Sequence, residues 1–257
     1  MTGPSFPPST ETLEGTLRAG IDPSMISFVV PAYDEERYLR PTLAAIHASA
    51  RALGERYEIV VADDASADAT SAIAREMGAR VVHVEKRQIA ATRNAGAREA
   101  RGDRLVFVDA DTQVNAALLA QAVAALAAGA AGGGAPVRIE PAPAWVRGFM
   151  RFVFVPLYFR LARWAAGCFL FCTRAAFEAA GGFDERYYAS EEIWLSKALK
   201  RAGRFVILGT FVTSSARKLE GRTPLEILGM VARLLAAGRP GLMRRGGATD
   251  FWYPERR

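Results

Sequence analysis

The chain has 257 residues, 51% hydrophobic and 23% charged, which is ordinary globular composition with room for one large domain or two small ones. Two cysteines, Cys168 and Cys172, cannot make a disulfide framework, and their place in an apolar run points to buried thiols in a reducing, cytoplasmic setting. The net charge of +6 is uneven: Arg138 to Arg174 holds six Arg against one Glu, and Arg217 to Arg257 holds nine basic against four acidic residues. Two basic segments on a mildly acidic body suggest contact with something anionic, such as phosphate groups or a membrane surface, and otherwise serve solubility.

Residues 1–24 are polar, without the apolar core of a signal peptide, and are expected to form a flexible leader. Met25 to Val30 predicts the first strand, ended by Pro31. Pro31-Ala32-Tyr33-Asp34-Glu35-Glu36 is a turn rich in acids. A helix is expected from about Glu36 to Ala52, with Leu39, Leu43 and Ile46 at helical spacing and acids in its first turn. Tyr57 to Ala62 predicts strand two, followed at once by Asp63-Asp64. Asp68 or Ser66 can cap a helix from about Ala69 to Met77, which Gly78 ends. Arg80 to Glu85 predicts strand three, and Gln88 to Arg101 a helix closed by Gly102. Gly96 inside that helix costs about 1 kcal/mol against Ala, which a close approach by backbone or ligand would explain.

Leu105 to Val108 predicts strand four, running straight into Asp109-Ala110-Asp111. Carboxylates resist burial unless paired or bound to a cation. Two acids at the carboxyl end of a sheet strand lie where open α/β sheets place ligands. They suit a hard divalent cation whose remaining shell is left for phosphate oxygens. A polar turn or an Asp cap is the plain alternative. Asn115 to Ala128 is an alanine-rich helix, and Gly129 to Gly134 is expected to be a flexible break. Strand and helix thus alternate four times, which predicts a mostly parallel sheet with helices on both faces. Three strand ends carry acids: Asp34 to Glu36, Asp63/Asp64 and Asp109/Asp111.

Pro143 to Ala166 mixes Trp145, Phe149, Phe152, Phe154, Tyr158, Phe159 and Trp164 with Arg147, Arg151, Arg160 and Arg163. That blend suits the headgroup level of a bilayer, an acceptor groove, a self-association face, or a core helix pair with snorkelling Arg. Gly167 to Thr173 predicts a strand, Arg174 to Ala180 a short helix, and Gly181 to Glu185 a turn. Ser190 is expected to cap a helix from Glu191 to Ala202, with the two acids serving the helix dipole. Strands are expected at Arg204 to Leu208 and Thr210 to Ser214. Thr223 to Ala237 reads as an amphipathic helix, and 238–257 as a basic tail. No apolar run reaches the roughly 18 residues of a spanning helix, and nothing suggests a nucleic-acid-binding module.

Six stretches, taken together, resemble family 2 glycosyltransferases of the GT-A fold. They are Val29-Val30-Pro31-Ala32-Tyr33-Asp34-Glu35-Glu36, Val61 to Thr70, Ala91-Thr92-Arg93-Asn94-Ala95-Gly96, Phe107 to Asp111, Gly181 to Glu185, and Ser190-Glu191-Glu192. The resemblance implies a Rossmann-like α/β/α sandwich over 25–218, with a nucleotide-sugar half at 25–114 and an acceptor half at 135–218. It implies that Pro31, Ala32, Tyr33 and Glu35 line the nucleoside pocket, that Asp63 or Asp64 accepts from a base imide, and that Arg93 faces the donor. Asp109 would reach the ribose or sugar side, and Asp111 would bind Mg2+ or Mn2+ on the diphosphate, with Asp109 as a second ligand. An acid pair such as Glu191/Glu192 would supply the catalytic base; the family more often has Glu-Asp, and Glu192 is preferred with Glu191 second. Some relatives place a His metal ligand near residue 217; this chain has no His after His83, and Arg217 or Lys218 would meet the diphosphate instead.

The activity so implied is an inverting, metal-dependent transfer from a nucleoside-diphosphate sugar, a UDP-sugar first, to an unknown hydroxyl acceptor. A lipid-linked or membrane-proximal acceptor, with peripheral contact through 145–164 at the inner membrane face, fits the basic aromatic segment. An inactive nucleotide-sugar binder and a nucleotidyltransferase are the alternatives. The acidic, glycine-free turn after strand one disfavours the latter, and no G-x-G-x-x-G supports a dinucleotide enzyme.

Overall fold

The computed structural model describes residues 21–217, together with 223, 226, 229, 242 and 243. The expected leader through residue 20 lies outside them, as do nearly all of the expected last helix and the basic tail.

The four apolar runs of the first half become β1 (Asp22–Ala32), β2 (Arg56–Asp64), β3 (Arg80–Val84) and β4 (Gly102–Val108). They pair in parallel, with Val29 beside Val60 on one side and Phe107 on the other. β1 begins at Asp22, inside the stretch expected as leader. Alternate residues go to opposite faces, as the period of a strand requires. Phe28, Val30, Val61 and Val106 enter one core, while Val29, Val60, Leu105 and Phe107 enter the other.

The first core is covered by α1 (Leu39–Leu53) and α4 (Ala116–Ala127), through Leu39, Leu43, Ile46, Leu118 and Leu119. α2 (Thr70–Glu76) flanks it. The second core is covered by α3 (Ile89–Glu99), α6 (Arg174–Ala179) and α7 (Glu191–Ala202). Gly96 lets α3 sit directly on the sheet: a Cβ there would come within 2.6 Å of Val29 Cγ1 and 3.3 Å of the Ala62 Cβ. The close approach expected at Gly96 is therefore helix on sheet.

The seven-stranded sheet has the order β3-β2-β1-β4-β8-β6-β9, where β6 is Ala130–Gly134, β8 Phe169–Thr173 and β9 Arg204–Ile207. β8 runs antiparallel to both β4 and β6. The expected flexible break at Gly129 to Gly134 is thus a strand, buried along its whole length. The glycines fit because neighbours fill their space. A Cβ on Gly133 would lie 2.1 Å from Val206 O and 2.5 Å from the Phe171 ring. Three short strands, β5 (Thr112–Gln113), β7 (Val137–Glu140) and β10 (Val212–Ser215), form a second sheet in the order β5-β10-β7.

One expected helix start and one expected cap bond are corrected. α1 begins at Leu39 rather than Glu36, and its first turn holds no acid. The Glu35 carbonyl accepts from the amides of Tyr38 and Leu39, which leaves Asp34, Glu35 and Glu36 in the loop before the helix. Ser190 occupies the cap position of α7 with φ 65°, and its side chain makes no cap bond. Gly102 also differs from expectation: it opens β4, where a Cβ would meet Met25 O at 2.4 Å. α5 (Ala144–Phe149) continues into a π-helical segment, Met150–Leu161, with Pro156 inside it. Among the described residues no helix is long and apolar enough to cross a membrane.

Candidate active site

Because β1, β2 and β4 are parallel, their carboxyl ends share one edge of the sheet, which is where such sheets place ligands. The acids at these ends fall into two kinds. Those after β1 and β2 mostly hold the loops to each other. Asp34, at φ 51°, accepts from the Ala67 amide at 2.8 Å, and its own amide donates to Ser66 Oγ at 2.9 Å. The amide of Glu35 donates to Thr70 Oγ1 at 2.7 Å, and that of Glu36 to Asp68 at 3.1 Å.

Asp63 accepts from the Ser66 amide at 3.1 Å and from the Ser71 hydroxyl. Asp64 accepts four bonds: the amides of Lys86, Arg87 and Gln88 at 2.7, 2.9 and 3.1 Å, and Thr92 Oγ1 at 2.8 Å. Three converging amides make an anion nest, and Asp64 fills it. Asp64 therefore anchors the start of α3. Pro31 and Ala32 are buried in the end of β1, while Tyr33 is partly exposed. Arg87 lies over the Tyr33 ring at 4.4 Å and also donates to its hydroxyl.

The acids after β4 are compensated from across the fold. Arg93, on α3 and 2% exposed, donates to Asp109 at 2.7 Å, to the Gly167 carbonyl at 2.9 Å and to Glu191. A buried ion triad of this kind is favourable only when every charge is partnered. Burial opposes the charge on Arg93, but Asp109 and Glu191 outweigh it and hold the guanidinium firmly protonated. Arg217, just past β10, makes a bidentate pair with Glu35, and its Nε lies 2.8 Å from Asp111. Its guanidinium stacks over the Tyr38 ring at 4.8 Å. The small sheet delivers Arg217 here, since β10 pairs with β5 directly after Asp111.

Glu191 and Glu192 open α7 and differ sharply. Glu191 is buried and bonded to Arg93. Glu192 accepts from the Tyr158 hydroxyl at 2.9 Å. Burial, and then the neighbouring Glu191 charge, push its carboxyl up to about 8. The Tyr158 hydroxyl is itself pushed well above its ordinary value by burial and by Glu192. Ser190, in the left-handed region without being glycine, turns the chain sharply into these two acids.

The turn at 181–185 is bound to α3. Asn94 accepts from the Phe183 amide at 2.9 Å and donates to the Phe183 carbonyl at 2.8 Å and to Glu185 at 2.9 Å. Gln88 donates to the carbonyls of Glu185 and Tyr187 at 2.8 and 2.7 Å.

The donor set at Asp109 and Asp111 fits a hard cation. Both are carboxylates at one strand end, and Asp109 keeps 26% of its side chain exposed. Each already faces a positive group, Arg93 or Arg217, with which a cation would have to share the carboxylate. No cluster of three or more metal-ligating side chains exists among the described residues. Phosphate and water oxygens would have to complete the shell, as they commonly do for Mg2+.

Of the residues expected in the site, Pro31, Ala32, Tyr33, Glu35, Asp63, Asp64, Asp109 and Asp111 lie on this edge, Arg93 reaches it from α3 and Arg217 from the small sheet, Glu191 and Glu192 open α7, and Lys218 lies outside the described residues. The loops of the site also use residues that the sequence left without a role there. Arg87 stands in no motif of the sequence, and Tyr158 is one aromatic among seven in its segment. Their partners, Tyr33 and Glu192, lie 54 and 34 positions away, so no local pattern marks the pairs.

The sequence profile described as Glycosyl transferase family 2 matches residues 27–178, more than half of the chain. Among curated relatives, the undecaprenyl-phosphate 4-deoxy-4-formamido-L-arabinose transferase of Edwardsiella ictaluri is 35% identical over 95 residues. That match covers 34% of this chain and 29% of the relative, so the chain spans under a third of the relative's length. The mannosyltransferase PcManGT of Pyrobaculum calidifontis, solved with GDP-Man and Mn2+, shares the fold with a TM-score of 0.66 at 20% identity, covering 95% of this chain and 74% of that one. S. aureus TarS 1-349 with UDP-GlcNAc gives 0.61 at 21% identity, covering 83% and 66%. The mostly parallel seven-stranded sheet is thus of the GT-A type.

Proposed function

The chain belongs to glycosyl transferase family 2, and on that footing we propose that it moves a sugar from a nucleoside-diphosphate sugar to an acceptor hydroxyl in one inverting displacement. The observation that carries this reading is the Asp109–Arg93–Glu191 bridge. It couples the acids after β4, on the donor side, to the acids that open α7. A leaving group on one side and a base on the other is what a single inverting displacement needs.

Glu192 is the base in this reading. Glu191 is held by Arg93, whereas Glu192, near 8, can exchange a proton close to neutral pH. The acceptor oxygen bonds to the anomeric carbon as its proton passes to Glu192, and the bond from that carbon to the diphosphate breaks. Asp109 and Asp111 would hold Mg2+ or Mn2+. Such a cation supplies charge neutralisation to the departing diphosphate. Arg217 serves the same charge from the chain itself. Pro31, Ala32, Tyr33, Glu35 and Asp63 border the nucleoside pocket, and Asp64 shapes it through the loop it anchors.

We assign peripheral membrane contact to 145–164, where Trp145, Phe149 and Phe152 are exposed among Arg residues. The acceptor then lies at or near the membrane. Flotation with anionic liposomes tests the contact, and failure to float removes it.

Thermal shift with UDP-, GDP- and TDP-sugars, with and without Mn2+, tests the donor reading. Stabilisation by at least one donor, increased by Mn2+, is the expected outcome. No shift with any donor overturns the proposal. Donor binding without turnover on any hydroxyl acceptor would favour the inactive binder.

A further inference from the structure

A cavity of about 450 Å³ lies on the side of the π-helical segment formed by Val155 and Phe159. Its walls are Val155, Phe159, Val206 and Phe211, and its rim carries Arg160 and Arg163. That volume is in the usual range for a small-ligand site. No acidic residue lines it among the described residues.

Among the described residues no carboxylate forms an ion pair with the cations around this rim. α7 places Lys197 and Lys200 beside Arg163, and Lys200 donates to the Ala162 carbonyl at 2.9 Å. The Lys200 ammonium is pushed below the usual lysine range by burial, then by the Arg163 and Lys197 charges. Cations that depress one another in this way offer a place for an anion. On the outer face of the same segment, away from Val155 and Phe159, Phe152, Leu157 and Leu161 are 74%, 56% and 77% exposed. Their spacings of five and four follow the i→i+5 winding of a π-helix, so they form one apolar stripe.

We propose that this cavity is a binding site for a single hydrocarbon chain bearing an anionic phosphate-type headgroup. The chain lies between Val155, Phe159, Val206 and Phe211, and the headgroup meets Arg160 and Arg163. The proposal deepens the membrane contact assigned above by naming one lipid-binding site within it. The chain's own segment after residue 218 is the other candidate occupant. It is net basic, with seven basic and four acidic residues, and so carries the same sign of charge as the rim, which repels it.

Calorimetric titration of the full-length protein with dodecyl phosphate, below its micelle concentration and without vesicles, tests the site apart from flotation. Saturable binding of one equivalent is expected, with inorganic phosphate and dodecyl maltoside weaker by about tenfold or more. Gly209→Phe should block the cavity. Gly209 borders it and is exposed, and a Cβ there has only Gln121 Oε1 nearby, at 4.0 Å. Arg160→Glu should repel the headgroup. Each is expected to weaken binding by about tenfold or more. No binding to the wild type overturns the proposal, as does equal binding of phosphate alone or of the maltoside. Binding that survives both substitutions places the ligand elsewhere and overturns it as well. Because no sugar nucleotide is present, the result is separate from whether the chain transfers sugar.

Discussion

Two arginines divide the Asp109-Ala110-Asp111 stretch between them, and they do so differently. Arg93 pairs with Asp109, is 2% exposed, sits on a helix packed against the sheet, and reaches Glu191 98 residues later. Arg217 pairs with Asp111, keeps 24% of its side chain exposed, and follows a four-residue strand of the small sheet. Arg93 is a fixture of the fold that happens to join two halves of the site. In the function proposed above, Arg217 is a counter-charge for which a diphosphate competes, as its cation competes for Asp111. One Asp-x-Asp stretch thus has a permanent partner and an exchangeable one.

The sharpest break of this comparison is Arg93→Ala. It leaves Asp109 and Glu191 without their cation, and losing one partner of a buried pair costs about 3–5 kcal/mol. Urea denaturation should show a loss of that order; a change within about 0.5 kcal/mol would place Arg93 with ordinary surface groups.

Glu192→Gln comes next. Turnover should fall by roughly 10²–10⁴, with the thermal shift by donor unchanged. The same variant reports on pH. The Glu192 carboxyl is raised in the folded state from 4.5 to about 8, so the native protein binds more protons than the unfolded chain between those values. The wild type should lose stability relative to Glu192→Gln as pH rises through that window, the contribution being fully present below the unfolded value. Denaturation at pH 5 and pH 8 checks the sign, and equal loss in both proteins removes Glu192 as its source.

A smaller effect is expected from Arg217→Ala. The fold should survive with a cost of about 1–3 kcal/mol, since Arg217 itself is 24% exposed and water can enter its place beside Glu35 and Asp111. The donor KM should rise more than kcat falls. A stability loss as large as that of Arg93→Ala would erase the distinction between the two arginines. The smallest effect is that of Tyr158→Phe. Its hydroxyl donates to Glu192 and favours the ionised carboxyl, so its removal should move the acidic limb of the activity profile, where the base takes up its proton, to higher pH.

The sequence made the first half legible because each strand and helix there answers to its own periodicity. Val29, Val60 and Phe107 sit in apolar runs, and Leu39, Leu43 and Ile46 in a helical stripe. The acids at the strand ends were visible for the same reason, as the breaks where those runs stop. What escaped depends on distant neighbours. Gly132 to Gly134 carries a loop's composition, and only Phe171 and Val206 across the sheet make it a strand. Asp63 and Asp64 look alike in sequence, yet Asp64 is absorbed by the 86–88 amides. Arg217 was expected near phosphate, but its pairing with Glu35 spans 182 positions and depends on β5 and β10, each too short to leave a periodic signal.

Gln88 ties these regions into one mechanical train. Its side-chain oxygen accepts from the Ala91 amide in the first turn of α3, while its side-chain nitrogen grips the 185–187 loop and its own amide is held by Asp64. A ligand that pries that loop away pulls on the same primary amide that keeps the start of α3 wound, two residues before Arg93. The Ala91 amide thereby becomes a gauge of the far loop: its hydrogen-exchange rate should rise with any opening of that loop.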